Sequence, residues 1–125
     1  MAITPDLVGR FAKAFADFVS AVTQAVQEAA MDPALSTQPA LLSWQTREVP
    51  LLEEQNRAIQ KAVVLFQIGE TQTVVQLADG ARGLSKQLDG FSLDFAGPKH
   101  AETLDRLATD VVVAAYNLYT AAQMH

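Results

Sequence analysis

The sequence predicts an all-α fold, an antiparallel four-helix bundle with a short extra helical segment between helices 1 and 2. Three observations carry this. Apolar residues recur at steps of three and four over four long stretches, the spacing that keeps one face of a helix apolar. Proline and glycine gather mainly between those stretches. Strand-like alternation is confined to short pieces.

Thr4-Pro5-Asp6 reads as a helix start. Thr4 can cap free N–H groups, Pro5 suits the first helical position, and Asp6 meets the positive end of the dipole. The stripe that follows is Val8, Phe11, Phe15, Phe18, Val22, Ala25 and Ala29, so the first helix is expected over about residues 5–30. Val19 and Val26 widen its apolar face, which suits a broad core contact.

Asp32-Pro33 ends that helix. Pro33, Pro39 and Pro50 argue that no long helix crosses residues 32–50. The segment nevertheless carries Leu35, Leu41, Leu42 and Trp44, and a long bare loop is unusual in a small domain. One or two short helical turns are expected, from about Pro39 to Arg47, with Trp44 packed on the bundle.

Leu52, Asn56, Ile59, Val63 and Phe66 form the next stripe, so the second helix runs from about Pro50 to Ile68, with Gly69 as its C-terminal glycine. Leu51, Val64, Leu65 and Ile68 lie outside that stripe and again suggest a wide core face. Val74, Leu77, Ala81, Leu84 and Leu88 mark a third helix over about residues 71–89. The second and third helices nearly keep phase across Gly69 and could be one interrupted helix. A strand reading competes weakly, since Val63–Phe66 and Thr73–Val75 are rich in β-branched residues. Phe91–Phe95 alternates and should be extended. Gly97-Pro98 opens the fourth helix, about residues 98–123, with the stripe Ala101, Leu104, Ala108, Val111, Ala115, Leu118 and Ala122.

At 125 residues the chain is one domain, residues 1–125. Half of the residues are hydrophobic and 18% are charged, which excludes a disordered chain. The absence of Cys excludes thiolate chemistry and disulfides. A net charge of -5 argues against nucleic acid as a partner. No run of about 18 apolar residues is present to span a membrane. The N-terminal segment lacks the continuous apolar core of a cleavable signal, so a cytoplasmic protein is expected, with signal-less export left open.

The strongest functional signal is surplus apolar surface. From Val111 to Tyr119 the fourth helix is apolar nearly all round, as a helix at the centre of a fold or at an interface would be. Val112, Val113, Tyr116 and Tyr119 are the candidate interface, with the tyrosines as anchors. The expected function is a non-enzymatic subunit that self-associates, or docks into a larger assembly, through this helix. The alternative is a bundle, binding protein or enzyme, with an apolar ligand pocket lined by Phe15, Phe18 and Phe66 and with Asn56 as its polar contact. Asn56 could equally fix helix register or stay hydrated at a helix end. Binding to a neutral lipid surface is a weaker third possibility, because the chain lacks the basic residues such helices carry.

Chemistry has little support. His125 is terminal, and His100 and Glu102 do not share a helix face. Neither Glu-x-x-His nor His-Glu-x-x-His occurs, so no metal or cofactor is expected. Gly80-Ala81-Arg82-Gly83 lacks the spacing of a phosphate loop, and no Gly-x-Ser-x-Gly elbow exists. Glu53, Glu54 and Arg57 read as a solvated helix face.

Overall fold

A helix needs its first N–H groups capped, and Thr4 does this as its composition predicts. Its extended backbone lets Oγ1 accept from Leu7 N–H at 3.3 Å, with Pro5 next in the chain. This opens α1, Pro5–Ala30, in a computed structural model that describes residues 3–34, 36–69, 76 and 97–123. A short α2, Pro39–Ser43, leads into a π-helical turn, Trp44–Glu48, and then α3, Val49–Gln67. The last element is α4, Gly97–Gln123. Most of the described residues are thus helical, with three long helices and no strand among them. Apart from residue 76, the third predicted helix, residues 71–89, lies outside the described residues, as does the alternating Phe91–Phe95.

The first helix is the hub. α3 and α4 both pack on α1 far more than on one another. Its whole predicted stripe is buried, and so are Val19 and Val26, so one helix has enough apolar width to serve two neighbours. The N-terminal half of α1 meets the C-terminal half of α3, since Gln60 Nε2 reaches Ala12 O at 3.5 Å. The end of α1 lies beside the start of α3, and the two are antiparallel. Leu7, Arg10 and Ala14, in the N-terminal half of α1, lie beside Asp110, Val113 and Asn117, in the C-terminal half of α4.

Phe11, Phe15, Phe18 and Val22 fill the core with Leu41, Trp44, Leu52 and Ile59 on one side and Leu104, Val111, Ala115 and Leu118 on the other. The Phe11 and Phe15 rings stand 6.3 Å apart at 54°, a tilted arrangement that avoids face-to-face repulsion. Each large side chain buried here stabilises the fold by about 1.5–3 kcal/mol.

Two sequence expectations are corrected. No helix crosses the whole of residues 32–50, but Pro50 does not separate the short turns from the next helix, because α2, the π-turn and α3 are contiguous and α3 contains Pro50 in its first turn. The backbone at Ser43, Glu48 and Val49 is helical throughout. A proline ring collides with the carbonyl four residues earlier in an α-helix. The wider turn before Pro50, in which Val49 N–H donates to Trp44 O, opens the ladder at that point. The expected short helical turns are present and Trp44 is buried, as the sequence suggested.

The second correction concerns the flank of α3. Leu51, Val64 and Ile68 are exposed rather than part of a wide core face. Only Val49, Leu52, Ile59 and Ala62 are buried on this helix, a narrower contact than that of α1. Residues 63–66, which had some strand character, are helical. α3 ends at Gln67, and Gly69 takes a φ of +101°, so the helix does not run on through this position.

Candidate protein interface

The first half of α4 is built as an amphipathic surface helix. Leu104 turns inward while Glu102, Asp105, Arg106 and Asp110 are exposed. The character changes at Val111. From Val111 to Met124 no residue carries a charge. Along this stretch Val111, Ala115 and Leu118 continue the inward stripe and are almost completely buried against α1. Of the predicted stripe, Leu104, Val111, Ala115 and Leu118 are buried and Ala108 is partly buried against the core.

The remaining apolar residues of this stretch do not reach the core. Val112 is 37% exposed, Val113 is 52% exposed and Tyr116 is 56% exposed. Tyr119 is half-buried. Val112, Tyr116 and Tyr119 follow one another at four and three residues, so they form one line along the flank of the seam. Val113 stands three residues before Tyr116 and carries the band around the helix. There it borders a groove of about 280 Å³ between α1 and α4, lined also by Leu7, Arg10, Asp110 and Asn117. Thus the four candidate residues form a contiguous, uncharged band beside the bundle seam. Three β-branched residues in succession gain little from a helix by themselves. Only Val111 of the three is repaid by full burial.

The alternative pocket residues are placed differently. Phe15 and Phe18 are fully buried in the packed core, with Phe66 partly buried at its edge. Asn56 is half-buried, and its Oδ1 accepts from Gln60 Nε2 at 3.4 Å, one helical turn away. Neither of the two grooves described here is lined by these four residues.

A second groove, of about 540 Å³, lies between the end of α1 and the junction of the π-turn with α3. Thr23, Val26, Gln27, Ala30 and Met31 form one wall, and Gln45, Val49 and Glu53 form the other. Sequence reasoning missed it. Gln45, Val49 and Glu53 share a face only if the helix continues through Pro50, and the prolines hide that continuity.

Among the described residues no group of three His, Asp or Glu side chains could hold a metal ion. None of the described helices is long and apolar enough to cross a membrane. An ion pair, Asp6 to Arg10 at 3.0 Å, is exposed and spans one helical turn. No protein-family model, curated protein or solved structure matches the chain.

Proposed function

We propose that this protein is a non-enzymatic helical subunit that self-associates through α4, two copies meeting at Val112, Val113, Tyr116 and Tyr119. The observation that carries the reading is the exposure of this apolar band on a helix whose other face is already committed to α1. Burial of such surface is worth about 25 cal/mol per Å². Tyr116 can bury ring area while its hydroxyl stays in contact with water at the rim.

Charge favours a second copy as the occupant. Each molecule carries a net charge of -5, so most approaches of two copies bring carboxylates together. The stretch 111–124 carries no charge, and two copies can meet there without that repulsion. A two-fold contact of this kind uses the same patch on both molecules. The narrowness of the band suits a weak, concentration-dependent dimer rather than an obligate one, because stable interfaces bury about 800 Å² per partner. The same reading keeps the four-helix bundle, with its remaining helix supplied by residues 71–89, whose stripe of Val74, Leu77, Ala81, Leu84 and Leu88 supports it.

Light scattering coupled to size-exclusion chromatography, over a wide concentration range, tests self-association. The expected result is a mass that rises from 13.5 kDa toward twice that value. A constant 13.5 kDa at every concentration overturns it.

A further inference from the structure

We propose that the groove between the end of α1 and the start of α3 binds a small organic ammonium ion, an amine carried on an apolar body. It lies away from α4, and none of its lining residues belongs to the band described above. Its volume of about 540 Å³ falls in the range of small-molecule sites, about 300–1,000 Å³.

The chemistry of the walls selects the ligand. Val26 and Val49 are buried and give the groove an apolar floor, with Ala30 half-buried and Met31 exposed beside them. Glu53 is the charged residue of the lining, and it makes no ion pair among the described residues. No Lys, Arg or His lines the groove. Thr23 has already given its hydroxyl proton to Val19 O at 2.8 Å, so its oxygen faces any ligand only as an acceptor.

The π-turn adds a further acceptor. In an α-helix the carbonyl of Gln45 would receive the N–H of Val49, but that N–H is given to Trp44 O. In the wider register its donor would be residue 50, which is proline and has no N–H. Gln45 O therefore lacks both of its helical donors and is left to a donor from outside the helix. Gln45 lines the groove together with Val49 and Glu53, four and eight residues further on. An ammonium group, with three donors and a positive charge, complements Glu53 and Gln45 O together. The apolar body of the ligand covers Val26, Val49 and Met31.

Hexylammonium and its uncharged counterpart hexanol are the probes, titrated into the ¹⁵N-labelled protein and followed by amide chemical shifts. Saturable shifts centred on Val26, Gln27, Gln45, Val49 and Glu53 are expected with hexylammonium, and weaker ones with hexanol. Glu53→Gln should weaken hexylammonium binding about two- to fivefold. Pro50→Ala, which restores the missing N–H, should weaken it too, and circular dichroism should show both variants as helical as the parent. The proposal is overturned if hexylammonium shifts do not saturate, if hexanol binds equally well, or if both variants bind as tightly as the parent.

Discussion

Val49 gives its backbone N–H to the carbonyl of Trp44, five residues earlier, and this one bond lets a helix run through Pro50. It also fixes where Trp44 stands. The residue opens the π-turn and its side chain is buried in the core shared with α1.

Truncation of that side chain should therefore be felt by the whole fold. Trp44→Ala is expected to cost about 3–5 kcal/mol, the range for removing a large buried aromatic. Chemical unfolding followed by circular dichroism measures it, since the variant has lost the only tryptophan. A cost under about 1 kcal/mol would show that the turn is not anchored through this ring.

The seam between α1 and α4 is close-packed around Ala115, which is completely buried. Ala115→Leu inserts volume where none is available, and about 1–3 kcal/mol of destabilisation is expected. The loss should appear as a lower denaturant midpoint with an unchanged slope.

At Gly69 the limit is the backbone, not space. A Cβ added there meets nothing within 4 Å, yet φ is +101°. Gly69→Ala should thus cost about 1–2 kcal/mol through strain alone. Gly9 is also free of neighbours within 4 Å but has no such φ, and it lies inside α1. Gly9→Ala should stabilise by about 0.5–1 kcal/mol. Opposite signs for the two substitutions in thermal unfolding are the expected outcome.

Tyr116→Glu places a charge in the middle of the proposed contact. It should hold the protein at 13.5 kDa at concentrations where the parent associates, with helicity unchanged. Loss of helical signal would instead assign Tyr116 to the fold of the single molecule.

Local signals were the legible ones. Thr4, Pro5 and the stripe of α1 are all decided within a few residues of sequence, and the structure follows them. Gly69 is a further case, because a helix end with positive φ needs a glycine whatever surrounds it. The path through Pro50 was not legible. A proline there looks like a helix start, and the compensating π-turn is a change of register that no apolar pattern records. The groove beside it was hidden for the same reason. On α4 periodicity picked out Val111 as the inward member of the three valines, as found, but it could not say whether Val112 and Val113 would be covered by another part of the bundle. Likewise Leu51 and Val64 differ from Val19 and Val26 only in what packs against them.

The position of α1 as hub has a consequence for synthesis. The ribosome makes this helix before α3 and α4, so the side chains of Leu104, Val111 and Leu118, which cover one of its apolar sides, emerge well after it. At about 5–20 residues per second, α1 waits on the order of several seconds with one apolar side unprotected. Among the described elements α3 is the neighbour that can pack on it in that interval, giving a half-clad helical hairpin. Such a species exposes more apolar surface than the finished fold, which is the surface that chaperones hold and that drives aggregation.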